Sequence, residues 1–105
     1  MYMSEKIRRH YVVKGRVQGV GFRYKAYYAA QAYRLTGYGR NMYSGDVEIE
    51  VQGNRETVDK FFEFAYRDRY IQIDDIKSTN MPIIEDERSF KVKDSYWFAE
   101  NGILC

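Results

Sequence analysis

The run Asp46-Val47-Glu48-Ile49-Glu50-Val51 alternates acidic and apolar residues without a break. Successive side chains on a strand point to opposite faces, so Val47, Ile49 and Val51 line one face of a sheet and the three acids line the other. A sheet with one apolar face needs a cover. Two stretches of helical period supply it. Phe22, Ala26, Ala29, Ala30 and Tyr33 share one face of a helix that ends near Arg34, and Val58, Phe61, Phe62, Ala65 and Tyr66 share one face of a second, after a turn and N-cap at Gly53-Asn54.

Strands fill the spaces between. Tyr11-Val12-Val13-Lys14 reads as the first, Leu35 to Tyr43 as a second weakened by Gly37 and Gly39, and Ser44-Gly45-Asp46 as the turn into the alternating third. Ile71 and Ile73 mark a fourth, extending toward Ile76, before a loop around Met81-Pro82, and Phe90 and Val92 mark a short extra fifth. The order β-α-β-β-α-β predicts an α+β, ferredoxin-like sandwich, an antiparallel sheet covered by two helices on one face. The acids of the third strand then lie on the open face.

A chain of 105 residues is one domain, with its core over about residues 7–94. Residues 1–6 read as a frayed leader. The tail 95–105 carries Tyr96, Trp97, Phe98, Ile103 and Leu104 without a clean period, and either packs back over the body or makes an oligomer contact. A monomer is expected, with a tail-mediated dimer as the alternative. Seventeen Lys and Arg against 15 Asp and Glu leave a charge of +2, which calls for neither nucleic acid nor an anionic membrane. No stretch approaches the ~18 apolar residues of a membrane span, and the expected location is cytoplasmic. One histidine, His10, and one cysteine, Cys105, rule out the usual Cys/His zinc clusters, so no metal or cofactor is expected.

Between the first strand and the first helix lies Gly15-Arg16-Val17-Gln18-Gly19-Val20-Gly21-Phe22-Arg23. Glycines allow successive backbone N–H groups to turn into a concave nest, and the following helix adds its unpaired N–H groups and positive dipole end. Arg23 adds a planar fork in the first turn, where the dipole disfavours a cation unless something anionic holds it. The competing reading is a tight strand-to-helix turn in which glycines only relieve crowding.

Known phosphate loops do not fit. A P-loop would end in Gly-Lys-Ser/Thr, yet Gly21 is followed by Phe22-Arg23; a dinucleotide loop begun at Gly19 would need glycine at Tyr24. A cysteine-phosphatase loop counted back from Arg23 would put its nucleophile at Val17. With no nucleophile, metal ligand or general acid evident, water must attack and the leaving group must depart unaided. A carboxylate, of conjugate-acid pKa about 4, meets that condition and an alkoxide, nearer the ~15.7 of water, does not. Mixed carboxylic-phosphoric anhydrides are therefore the matching substrates. Asn41 offers an amide that could orient the water, its other reading being a strand-end turn residue.

The loop GRVQGVGFR, with Gly37-Tyr38-Gly39-Arg40-Asn41, Gly45-Asp46-Val47-Glu48 and Val51-Gln52-Gly53, resembles the acylphosphatase family. The resemblance implies metal- and cofactor-free hydrolysis of small acyl phosphates, phosphate held by the loop amides and Arg23, and water oriented by Asn41. Inorganic phosphate or sulfate would occupy the same nest. Two other readings are weaker. An RNA-binding ferredoxin-like module would carry its aromatic octamer on the third strand, where this chain has acids that repel phosphates. A non-catalytic or carbamoyl-phosphate-directed relative, like the acylphosphatase-like domain of hydrogenase-maturation carbamoyltransferases, would be followed by further domains.

Overall fold

A computed structural model describes residues 5–93; the expectations for the tail 95–105 fall outside them. Eight elements follow in order: β1 (Lys6–Arg16), α1 (Phe22–Tyr33), β2 (Thr36–Asn41), β3 (Val47–Asn54), α2 (Arg55–Lys60), α3 (Glu63–Tyr66), β4 (Gln72–Met81) and β5 (Phe90–Lys93). The five strands form one sheet in the order β4-β1-β3-β2-β5. Val47, Ile49 and Val51 are fully buried under the helices, packed with Tyr11 and Val13 of β1, Phe22, Ala26 and Ala30 of α1, and Val58, Phe61 and Ala65 of the second helical stretch. The alternation of β3 therefore sets the core.

Four expectations need correction. The sheet is mixed, because β5 pairs parallel with β2 while every other pair is antiparallel. The cause is the route of the chain: β4 lies at one edge, and segment 82–89 crosses the face without helices to reach the other. On the way the backbone of Ile84 donates to Oε1 of Gln52 at 2.8 Å and accepts from its Nε2 at 3.0 Å. Glu87 receives Arg8 at 2.7 and 3.1 Å and Thr36 at 2.6 Å.

The acids of β3 are accordingly neither free nor fully open to solvent. Glu50 is buried against Arg8, itself only 3% exposed, and Glu48 takes hydrogen bonds from Arg40 at 2.8 Å and Tyr38 at 3.1 Å. Their charge is answered in place, which removes the phosphate repulsion expected of this face.

The second helix is two short pieces, since Phe61 and Phe62 are both drawn inward although neighbouring helix positions diverge by about 100°. Phe61 is fully buried, and Phe62 turns its ring to Tyr11, centroids 4.8 Å apart. Finally, β1 begins at Lys6 rather than Tyr11, β2 stops at Asn41 short of Tyr43, and β4 runs to Met81 rather than Ile76; residues 1–4 of the expected leader lie outside the described residues. Residues 77–81 carry no apolar alternation because an edge strand exposed on both faces does not require it.

Candidate active site

The loop between β1 and α1 leaves the sheet through a bulge at Lys14/Gly15, where the pairing of β1 with β4 shifts register. Gly15 (φ 135°) and Arg16 still belong to the strand, Arg16 being exposed opposite Gln72. Val17 then turns inward and is fully buried, anchoring the loop to the core. Beyond it Gly19 and Gly21 both take φ 76°, a left-handed conformation costly to residues bearing a Cβ. Gly21 is the N-cap of α1 and brings no side chain to cap the leading N–H groups of the helix. No acidic residue lies in that first turn. The helix end thus keeps its positive character.

Gln18 gives the loop its second anchor. Its Nε2 donates to the carbonyl oxygens of Met42 at 2.8 Å and Asp46 at 2.9 Å, pinning the loop to the turn between β2 and β3. Lys14 adds an ion pair with Asp46 at 2.7 Å, whose hydrogen bond holds the Asp46 carboxyl below its ordinary range. That turn begins one residue after Asn41.

Asn41 pairs with Val47 across β2 and β3, so register puts it on the helix-covered face, at the strand end beside the loop. A cavity of about 230 Å³ is lined by Val17, Gly19, Gly21, Phe22, Arg23, Tyr24 and Asn41. Among the described residues one cation and no acid line it. The Oδ1 of Asn41 is buried and accepts no hydrogen bond among the described residues, an arrangement that costs about 1–3 kcal/mol where no guest answers it. Arg23 is tied on its other side: Nη1 donates to the carbonyl of Lys93 at 2.7 Å, joining the first turn of α1 to the last residue of β5. The cation in the helix's first turn is therefore held in part by a backbone oxygen of β5.

The structure thus brings Val17, Gly19, Gly21, Phe22, Arg23 and Asn41 together around one cavity. Gln18 serves as an anchor, and Gly15, Arg16 and Val20 do not line the cavity. Sequence reasoning missed Tyr24 as a lining residue and the carbonyl of Lys93 as a support. An exposed tyrosine in a helix carries no signal of its own, and a backbone oxygen 70 residues away leaves none. His10 sits on the opposite face of the sheet, 2.6 Å from Glu48, and does not enter the cavity. Among the described residues no group of three His, Cys, Asp or Glu could hold a metal, and no helix is long and apolar enough to cross a membrane.

Comparison with known proteins shows the family. Residues 9–92 match the family model for acylphosphatase. The acylphosphatase of Clostridium acetobutylicum is 40% identical over 85 residues, covering 78% of this chain and 93% of the relative. Among solved structures, the acylphosphatase from Bacillus subtilis superimposes with a TM-score of 0.76 at 31% identity, over 83% of this chain and 98% of that one. A similar match, TM-score 0.77 at 28% identity, covers 89% of this chain but only 12% of full-length HypF, solved in a phosphate- and nucleotide-bound form.

Proposed function

The chain belongs to the acylphosphatase family and hydrolyses acyl phosphates to carboxylate and inorganic phosphate, and on that premise we propose that Arg23 holds the phosphate while Asn41 orients the attacking water. The loop from Gly15 to Phe22 supplies the cradle, chiefly through Gly19, Gly21 and the leading N–H groups of α1. The observation that carries this reading is the buried, unanswered Oδ1 of Asn41 in the same cavity as Arg23. A water donating to Oδ1 has a lone pair left to direct at phosphorus.

In the proposed step the water oxygen forms a bond to phosphorus as the bond from phosphorus to the acyl oxygen breaks. The electron pair of that bond leaves on the carboxylate, and the water proton passes to solvent or to the phosphate product. A carboxylate leaves without a proton donor, in keeping with a cavity lined by no acid and with His10 on the far face. Arg23, with the helix end, neutralises charge on the phosphate oxygens as it redistributes. The reaction needs no metal or cofactor in this scheme. We further propose that inorganic phosphate or sulfate binds the same cradle, and that the enzyme works as a cytoplasmic monomer without a nucleic-acid partner. A charge of +2 and a single cysteine support that setting.

One pair of variants tests the division of roles. Arg23→Ala weakens competitive inhibition by phosphate and removes most turnover. Asn41→Ala keeps phosphate inhibition within about twofold while kcat falls at least about a hundredfold. Equal loss of phosphate affinity in both would overturn the assignment.

A further inference from the structure

The cradle accounts for the phosphate half of the substrate and leaves the acyl half without a place. Tyr24 lies in the first turn of α1 and lines the anion cavity, and it also lines a second cleft of about 370 Å³ with Tyr27, Tyr28 and Val92. Tyr24 is therefore the wall common to both. From it the aromatic surface continues along the helix, because residues three and four apart share a face and Tyr28 lies one turn, about 6 Å, from Tyr24. The rings of Tyr27 and Tyr28 meet edge to face with centroids 5.3 Å apart, which fixes their planes relative to each other.

Tyr24 is 59% exposed and Tyr28 68% exposed, so neither ring is placed by the core. The cleft's fourth side, Val92, precedes the Lys93 whose carbonyl holds Arg23. Cleft and cradle thus share α1, and β5 borders the one and supports Arg23 of the other. We propose that Tyr24, Tyr27, Tyr28 and Val92 form the subsite for the acyl group, and that it selects aromatic or extended apolar acyl phosphates over acetyl phosphate. This rests on the assignment of the phosphate to the Arg23 cradle. An aryl acyl phosphate whose phosphoryl group is seated there can lay its ring along the tyrosines, in the offset or edge-to-face contacts that such rings prefer. An acetyl group is too short to reach beyond Tyr24. Tyr24, Tyr27 and Tyr28 are then residues that determine specificity.

The test compares kcat/KM for benzoyl and acetyl phosphate in the full chain carrying Tyr28→Ala or Tyr28→Phe, with inhibition by inorganic phosphate measured alongside. Tyr28 is exposed enough for either variant to fold. Tyr28→Ala lowers the benzoyl-to-acetyl ratio about tenfold through KM, and Tyr28→Phe retains it. An unchanged ratio in Tyr28→Ala overturns the subsite, as does a parallel fall for both substrates. If Tyr28→Ala instead abolishes a concentration-dependent dimer seen by sedimentation and leaves the ratio alone, the cleft belongs to a second copy of the chain and the proposal falls. Failure of phosphate to compete in the unmodified enzyme would overturn the cradle, while the benzoyl-to-acetyl ratio would still decide the subsite separately.

Discussion

Gln18 donates its side-chain amide to the carbonyl of Met42 at 2.8 Å, and through this bond the loop that cradles the anion is fixed to the strand end that presents Asn41. The same nitrogen reaches Asp46 at 2.9 Å, so one side chain spans both ends of the β2–β3 turn. Two parts of the proposed site, distant in sequence, are thereby held at one spacing.

Gln18→Ala removes both bonds and lets the loop move relative to Asn41. Stability falls by about 1–2 kcal/mol, the usual cost of a lost hydrogen bond and of carbonyls left to find water. Turnover suffers more than phosphate affinity, because water and phosphorus must be aligned while phosphate alone needs only the cradle. Gln18→Glu is the sharper variant: a carboxylate cannot donate and sets negative charge against two carbonyl oxygens. Steady-state kinetics with phosphate as competitive inhibitor separates the two effects, and a rise in the inhibition constant equal to the fall in kcat would assign Gln18 to binding.

The Arg8 cluster on the other face bears on stability and not on chemistry. Arg8 bonds Glu50, Gln52 and Glu87, and these contacts hold segment 82–89 across the sheet so that β5 reaches β2. Removing one partner of a buried pair strands the other charge, at a cost of about 3–5 kcal/mol, a large share of the ~5–15 kcal/mol that holds a typical domain. Arg8→Met therefore lowers the urea midpoint steeply, and Glu87→Gln, which keeps an acceptor oxygen for Arg8, lowers it less. A midpoint unmoved by Arg8→Met would show that the cluster contributes nothing net.

The same cluster sets an acid limit. Burial raises the Glu87 carboxyl, but hydrogen bonds from Arg8 and Thr36 outweigh it and hold the pKa below the ordinary range; Glu48 is likewise raised by burial and lowered further by His10 and Arg40. A carboxylate depressed in the folded state contributes stability that is complete above its unfolded pKa, about 4.3, and is lost as pH falls through the lower folded value. Urea midpoints should hold steady from pH 7 to about 5 and fall below it. Glu87→Gln should show a shallower fall, since its amide has no proton to gain.

Legibility followed burial. The strict alternation of residues 46–51 made β3 plain, and the helical spacing of Phe22, Ala26 and Ala30 made α1 plain, because each has one face in the core. The edge strands were poorly marked: β4 is exposed on nearly every residue, and the parallel approach of β5 depends on a crossing held by Gln52 and Arg8, polar side chains that give no hydrophobic period. At the site, Gly19, Gly21, Arg23 and Asn41 could be picked out because their chemistry is local to the residue. The anchoring by Gln18 and by the carbonyl of Lys93 could not, since both arise only when distant segments meet.

Gly39 links the core to the site through β5. A Cβ built there would lie 3.0 Å from Cδ1 of Ile49 and 3.5 Å from the ring of Phe90, so the glycine makes room for the aromatic that seats β5 against β2. Phe90 is 3% exposed, and three residues later the carbonyl of Lys93 holds Arg23. The strand that presents Asn41 is thus firmed by the ring packed on its glycine rather than loosened by the missing side chain. Gly39→Ala requires only a small shift of the flexible end of Ile49, and the lower entropy of the unfolded chain offsets it, so stability stays within about 1 kcal/mol and turnover persists. Gly39→Leu must displace Phe90, costing about 1–3 kcal/mol by overpacking and moving Lys93 away from Arg23. Gly37 offers a contrast, since a Cβ there would meet the Glu50 carbonyl oxygen at 1.8 Å and even alanine cannot be seated without parting β2 from β3. Thermal melts and phosphate inhibition of Gly39→Ala, Gly39→Leu and Gly37→Ala decide the matter. If Gly39→Leu melts lower but inhibits normally with phosphate, the path from Phe90 through Lys93 to Arg23 does not govern the cradle.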